Sequence, residues 1–336
     1  MIQTLISVNL PYLSMIEIFG RRLSDLMVDA PLYLSLLRKY IGIRLFKERH
    51  VIFGSVDVCN VCNLHCLHCY WWLNRKEEDG LDAEEWREII RSTFKRLKVV
   101  HVGIAGGEPL LRSDIVRVFC EEMPRHVSVI TNGTLPLQRI DGLYLYFVSV
   151  DGTRESHDQI RGRGTYDKVK KNIIDYIERY SNDGYHAWKD IWLSFTINSI
   201  NYRTIEDYIE EWHGVVNKVA IQFHTPFIRG DPLSLPFGEE RDKAIDKLLD
   251  MKKRYPDFIV NHPKHIRLLG KRWGGKGTTP IACPSWAILS LDHMGRVKKP
   301  CCIGSADVNA MQPICEECGL SSYAVLYSYG IRNSNY

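Results

Sequence analysis

Between residues 51 and 255, short β-rich runs alternate with stretches of helical period, and this alternation limits the chain to few architectures. The runs are "IFGSVDV", "VVHVGIA", "HVSVIT", "YLYFVSV", "IWLSFTI" and "VAIQFHT". Each is followed by a loop and a segment of helical spacing. The clearest helix, "DAEEWREIIRSTFKRL", opens on Asp82 with Glu85 three residues on, the spacing of a capping box. Strand–helix units in series imply parallel strands joined by right-handed crossovers. The expected fold class is therefore α/β, a partial (β/α)6 TIM-like barrel.

The flanks differ in texture. Residues 1–50 are apolar and interrupted by basic pairs. Leu32, Leu34, Leu36, Leu37, Tyr40, Ile41 and Leu45 recur at helical spacing with Arg38, Lys39, Arg44 and Lys47 between them, which predicts an amphipathic helical extension. Such a helix suits either the bottom or edge of a barrel or a membrane surface. Residues 256–336 lose the alternation to Gly, Pro and Cys. That region holds five of the ten cysteines and too little apolar surface for its own core, so a metal centre is its natural staple.

Composition excludes some partners. With 44 Lys and Arg against 40 Asp and Glu, the net charge of +4 implies no polyanion, and no nucleic acid is expected. The basic stretch 252–276 reads as a solvated face, with an anion or phosphate-headgroup site as the competing reading. No signal peptide and no run of about 18 uncharged apolar residues is visible. The expected location is the cytoplasm, with peripheral contact at the inner face of the membrane through residues 1–50. Clustered thiols in a reducing compartment point to metal before disulfide.

The sharpest cluster is "CNLHCLHCYWW", with Cys62, Cys66 and Cys69 inside eight residues. A zinc site takes four ligands, which His65, His68 or Cys59 would have to complete. Three thiolates alone suit a 4Fe-4S cluster with one iron left open. Cys-x3-Cys-x2-Cys followed by an aromatic residue, here Tyr70, resembles the signature of the radical S-adenosylmethionine enzymes. The resemblance implies that S-adenosylmethionine chelates the open iron and is reductively cleaved to a 5'-deoxyadenosyl radical, which abstracts hydrogen from an unactivated C–H bond.

Other segments fit the same family, in order, over residues 51–225. "GGEP" follows the second strand, where two glycines allow close main-chain approach and Glu108 offers a negative partner to an ammonium. "TNG" ends the third strand and "SVDG" the fourth. "HDQIRGRGTYDKV" resembles the segment bearing an arginine for the cofactor carboxylate. The resemblance thus assigns Tyr70, Gly106, Gly107, Glu108, Asn132, Ser149, Asp151 and Arg161 to S-adenosylmethionine, with Tyr70 at the adenine. In barrels of βα units, groups at the C-terminal strand ends share one face. Asn198, Gln222 and His224 are weaker candidates for the same mouth, and Trp71 and Trp72 wall it or join the core.

The later cysteines, "CPSWAILSLDHMGRVKKPCC" and then "CEEC", resemble the SPASM or shorter twitch extensions of these enzymes, with Gly295 between Cys283 and Cys301 but the last spacing one residue long, and with fewer than the seven or eight cysteines of a full two-cluster extension. Five thiols suffice for one auxiliary 4Fe-4S cluster, expected on Cys283, Cys301, Cys315 and Cys318, with Cys302 as spare or substitute. Structural zinc on the same four is the competing reading. Cys59 and Cys120 are expected to be small buried hydrophobes.

Substrate is where the residues say least. The amphipathic N-terminus and basic stretch suggest a long-chain membrane lipid undergoing carbon–carbon bond formation or chain modification. The alternative is a peptide- or protein-modifying maturase, and a ferredoxin or flavodoxin is the expected electron donor. A non-catalytic electron carrier and a zinc-stapled nucleic-acid binder are the readings from other classes.

Overall fold

The structure is a computed structural model and describes residues 30–74, 80–182, 184–271 and 285–320. The first helix is α1 (Ala30–Phe46). Six strand units follow: β1 (Phe53–Asp57), β2 (His101–Ala105), β3 (Val127–Thr131), β4 (Leu143–Ser149), β5 (Ile191–Ile197) and β6 (Lys218–Phe223). Between and after them lie α2 (Tyr70–Leu73), α3 (Ala83–Ile89), α4 (Ser113–Glu122), α5 (Arg154–Arg161), α6 (Thr165–Tyr180), α7 (Ile205–Trp212), α8 (Glu239–Arg254) and α9 (Pro263–Leu269). The capping box at α3 forms as its spacing predicts: Glu85 N donates to Asp82 Oδ1 at 2.9 Å and Asp82 N to Glu85 Oε2 at 2.8 Å.

The sheet has seven strands in the order β6-β5-β4-β3-β2-β1-β7, all parallel. It is a curled half-barrel, the expected partial TIM-like fold with one strand more than the sequence indicates. The addition, β7 (Ile288–Leu291), comes from the Gly/Pro/Cys-rich region and pairs with β1, Phe53 opposite Ile288 through Val56 opposite Leu291. Four residues among turn formers carry no legible period, and the pairing spans most of the chain.

Alternation along the strands separates two faces. Val56, Val102, Ile104, Val127, Val129, Val148, Leu193, Phe195, Val219 and Ile221 are buried with Trp86, Phe94, Ile115 and Phe119 in one core between sheet and helices. The opposite face is half-exposed and mostly small: Ser55, Gly103, Ala105, Ile130, Phe147, Ser194, Ala220 and Gln222. A barrel filled for packing alone carries bulky branched residues here. Towards the C-terminal strand ends these positions are mostly small here, Ser55, Gly103, Ala105, Ser194 and Ala220.

The N-terminal end of the strands is closed by α1. Leu36 and Ile43 pack on Ile52, Val100 and Ala287. Lys39, expected among the solvated basic residues, is buried instead: its ammonium donates to the carbonyls of Val51 at 2.7 Å, Leu97 at 2.7 Å and Lys98 at 3.0 Å, just ahead of β1 and β2. The outer edge of β6 is covered by residues 258–261. Val219 N donates to Phe258 O and Val260 N to Val219 O, both at 2.9 Å, and the Asn261 amide pairs with both main-chain groups of Ile221. Unpaired strand edges invite association, and this one is blunted.

Candidate active site at the C-terminal strand ends

The cysteine loop follows β1, GGEP follows β2, TNG and SVDG close β3 and β4, and Asn198 and His224 follow β5 and β6. All therefore open on the end of the half-barrel opposite α1.

GGEP and the cysteine loop are packed back to back. A Cβ on Gly107 would stand 1.9 Å from Val61 O, and one on Gly106, where φ is +131°, 2.9 Å from Cys59 O. The glycines thus serve contact between two loops, with Glu108 N donating to Val61 O at 2.8 Å. Glu108 is fully buried. Its Oε1 accepts from Thr131 Oγ1 at 2.7 Å and Leu110 N at 3.1 Å, and its Oε2 from Asn132 N at 2.7 Å. In this arrangement the carboxylate ties GGEP to the end of β3.

Asn132 performs the next brace. Its Oδ1 accepts from Thr134 N at 2.9 Å, an Asx turn, while its Nδ2 donates to Asn63 Oδ1 at 2.8 Å and lies 4.0 Å from Cys62 Sγ. Asn63 returns a bond to Thr134 Oγ1 at 2.8 Å. On the other side of the loop, Leu67 N donates to Ile160 O at 2.9 Å, so the cysteines are pinned to the last turn of α5.

Beneath them sits a buried charge network. Asp151 Oδ2 accepts from Arg161 Nε at 2.6 Å and lies 3.6 Å from His68 Nε2; its Oδ1 accepts from Thr196 N at 2.9 Å. Arg161 Nη1 is 3.9 Å from Cys66 Sγ. Burial works against ionisation of Asp151, but Arg161, His68, His157 and the Thr196 N–H together outweigh it and hold the carboxyl below its usual range. Burial also pushes the His68 imidazole down to about 4. Ser149 is buried at the end of β4, beside this network. Sequence reasoning missed Asn63 and Thr196, took Thr131 only as part of TNG and weighed His68 only as a zinc ligand; their partners here are remote in sequence.

The donor set fits an iron–sulfur cluster. Burial raises the pKa of Cys62, Cys66 and Cys69, that of Cys66 to about 11, so without a cation all three would stay protonated at neutral pH. Arg161 and Asn132 bring N–H groups to two of the sulfurs. The candidates to complete a zinc site are occupied elsewhere. Cys59 is buried, with its thiol directed at the carbonyls of Glu108 at 3.3 Å and Val61 at 3.5 Å; the His65 ring stacks on Trp72 at 4.4 Å. Among the described residues no three Cys, His, Asp or Glu side chains converge on a single-ion site.

Tyr70 stacks on Phe227 at 5.9 Å, with Lys298 Nζ 5.6 Å from its ring. Trp71 is buried, and half-buried Trp72 donates to Leu64 O at 3.1 Å. His224 pairs with Asp231 at 2.8 Å, and Gln222 donates to Thr196 Oγ1 at 2.9 Å. Cys120 lies in the core as expected.

The second cysteine group rides on a strap, residues 297–319, that crosses the mouth. It leaves β7 by a hairpin whose left-handed residue is Gly295, φ +72°. Lys298 forms a buried ion pair with Asp57 at the end of β1. Midway, the Asn74 side chain pairs with both main-chain groups of Met311, at 2.7 and 3.0 Å. At the far edge Ile314 N donates to Pro226 O at 2.8 Å, Phe223 N to Gly319 O at 3.1 Å and Gly319 N to Thr225 Oγ1 at 2.8 Å. The strap so joins β7 and β6, the two ends of the open sheet. Cys301, Cys302, Cys315 and Cys318 fall near enough to perturb one another, the Cys302 thiol donating to Cys301 and holding its pKa below the usual thiol value. Cys283 lies outside the described residues.

Comparison with known proteins agrees with this geometry. Residues 56–186 match the model of the Radical SAM superfamily. The chain is 32% identical over 286 residues to the Fe-coproporphyrin III synthase of Methanosarcina barkeri (strain Fusaro / DSM 804), covering 71% of this chain and 67% of that protein. A probable GTP 3',8-cyclase of Methanococcus maripaludis (strain C7 / ATCC BAA-1331) is 35% identical over 204 residues, 57% of this chain and 65% of that one. The chain thus spans about two thirds of the length of these relatives. Among solved structures, Streptococcus suis SuiB bound to precursor peptide SuiA superposes with a TM-score of 0.59 at 15% identity, over 90% of this chain and 72% of that one. Native anSMEcpe with bound AdoMet and Cp18Cys peptide gives 0.53 at 16%, over 77% and 78%. With three thiols at the mouth of a half-barrel and a relative of this identity and coverage, the chain belongs to the radical SAM superfamily, whose cofactors are S-adenosylmethionine and a 4Fe-4S cluster.

Proposed function

We propose that this enzyme removes a hydrogen atom from an unactivated C–H bond of a peptide held across the strap. When bound, the cluster on Cys62, Cys66 and Cys69 would supply the electron that cleaves S-adenosylmethionine to the 5'-deoxyadenosyl radical. The small lumen residues Ser55, Gly103, Ala105, Ser194 and Ala220 leave room for the cofactor beside the thiols. Tyr70 and Ser149 flank that space. Gly106, Gly107, Glu108, Asn132, Asp151 and Arg161 act chiefly by fixing the loop around it.

One observation carries the choice of substrate. A small cleft of about 60 Å³ lies between the end of β1, α2 and the strap, and its lining includes the hydrogen-bonding groups Asp57, Asn60, Asn74, Asp292, Arg296 and Lys298 beside Tyr70 and Trp71. Several of these groups are already paired, Lys298 with Asp57, Arg296 with Asp292 and Asn74 with Met311, and a peptide can add hydrogen bonds at their remaining polar atoms where an alkyl chain cannot. Tyr70 lines the cleft, directly after Cys69 and within electrostatic reach of Cys301 and Cys302. The lipid reading leaned on residues 1–50 and the basic stretch 252–276; residues 1–29 lie outside the described residues, and α1 caps the opposite end of the barrel, about 17 Å away by strand length. SuiB and anSMEcpe, of this fold, have been solved with peptides bound.

The strap cysteines support an auxiliary 4Fe-4S cluster, with Cys283 supplying a ligand from outside the described residues. A ferredoxin or flavodoxin would deliver the electron. The test is anaerobic reconstitution followed by reduction with S-adenosylmethionine and deuterated substrate pools. About eight irons per chain and deuterium in 5'-deoxyadenosine from peptides alone are the expected results. Deuterium arriving only from lipid, or only from a coproporphyrin like that named for the Methanosarcina relative, would overturn the peptide assignment.

A further inference from the structure

We infer that Arg161 is a positioning and charge-compensating residue for the thiolate of Cys66, with Asp151 as its holder. The resemblance assigned this arginine to the cofactor carboxylate; the geometry gives it a second task. The inference rests on the reading that Cys66 is a cluster ligand.

Arg161 occupies the last turn of α5, whose Ile160 carbonyl accepts from Leu67 N at 2.9 Å. The helix end and the Cys66–Cys69 segment are therefore one unit. The guanidinium is 9% exposed and is oriented by a single strong bond, Nε to Asp151 Oδ2 at 2.6 Å. That carboxylate is itself fixed by Thr196 N at 2.9 Å, and its main-chain carbonyl by Asn201 Nδ2 at 3.3 Å. With Nε held, the planar fork leaves Nη1 pointing at Cys66 Sγ, 3.9 Å away. A buried donor at that distance from a ligand sulfur is one of the few means a protein has of setting a cluster's potential. In a site of low dielectric, a positive charge beside the sulfur favours the state with the additional electron.

The pair predicts opposite shifts. Arg161→Met removes the positive charge, so the reduced cluster loses stabilisation and its midpoint potential moves negative. Asp151→Asn leaves Arg161 charged but without its counter-ion, so the potential moves positive. Arg161→Lys keeps the charge without the fork that reaches both partners and falls between wild type and Arg161→Met. The measurement is an EPR-monitored redox titration of the full chain, anaerobically reconstituted, without S-adenosylmethionine, in which dithionite supplies the single electron. Cofactor binding is then read separately from the change in the EPR spectrum on its addition.

General loosening of the site would move both variants the same way, and that outcome, or unchanged potentials with only cofactor binding lost, overturns the inference. Should Arg161→Met not hold iron, Asp151→Asn and Arg161→Lys still decide the sign. If wild-type protein assembles no four-iron cluster on Cys62, Cys66 and Cys69, it is the cluster reading that fails.

Discussion

Replacing Gly319 by alanine tests whether the strap is fastened to the far edge of the sheet. A Cβ at this position would lie 1.8 Å from Phe223 O, 2.3 Å from its carbonyl carbon and 2.8 Å from its Cα. All three are main-chain atoms of β6, held in register by β5 from Trp192–Lys218 to Ile197–Phe223, so they cannot retreat. The strap must lift instead. Lifting breaks Phe223 N to Gly319 O and Gly319 N to Thr225 Oγ1. Two hydrogen bonds at about 1 kcal/mol each, with about 1–3 kcal/mol of overpacking, give about 3–5 kcal/mol against the docked state. At ~1.4 kcal/mol per factor of ten, docking weakens more than a hundredfold. Hydrogen exchange at Phe223 and Gly319 and alkylation rates of Cys315 and Cys318 in apo-protein should rise together, while the amides between β4 and β5 stay protected. Unchanged exchange and alkylation in Gly319→Ala would refute the fastened strap.

Other expectations follow from single side chains. Lys39→Met leaves the carbonyls of Val51, Leu97 and Lys98 without their donor and should lower stability by about 2–4 kcal/mol in urea unfolding, whereas Lys47→Met, at an exposed residue, should change it by under about 0.5 kcal/mol. Cys59→Ala should retain iron and activity with a modest stability loss, whereas Cys62→Ala, Cys66→Ala or Cys69→Ala should lose the cluster; iron loss in Cys59→Ala would make it a fourth ligand and refute the open iron, and zinc without iron in the wild type would restore the zinc reading. Burial holds His265 down to about 4, so the fold favours its neutral form. Its contribution is present above pH 6.5 and is lost as pH falls from 6.5 towards 4, and urea midpoints across that window should slope less steeply in His265→Gln.

The relation of sequence to structure is clearest at the cysteine loop. Its three thiols at close spacing needed no tertiary information, because all three lie in one short segment. The six strands of the central region were likewise visible, since each buries one face on helices and so alternates or runs apolar. The capping box at Asp82 rests on residues three apart. Such features are local, and local chemistry is written in order along the chain.

What required the fold was everything whose partners are distant in sequence. Glu108, Asn132, Asp151 and Arg161 were expected from the sequence to meet the cofactor, but not to grip the cysteine loop through Thr131, Asn63, Thr196 and Cys66. Lys39 reads as a surface cation until Val51 and Leu97 are placed beside it. The strand β7 is too short to show a period and exists because β1 offers it an edge. The strap's course from Asp57 past Asn74 to Phe223 follows from the curl of the sheet, which sets how far apart β7 and β6 end. A sequence specifies which groups are available; the distance between two strand ends is a property of the packed sheet alone.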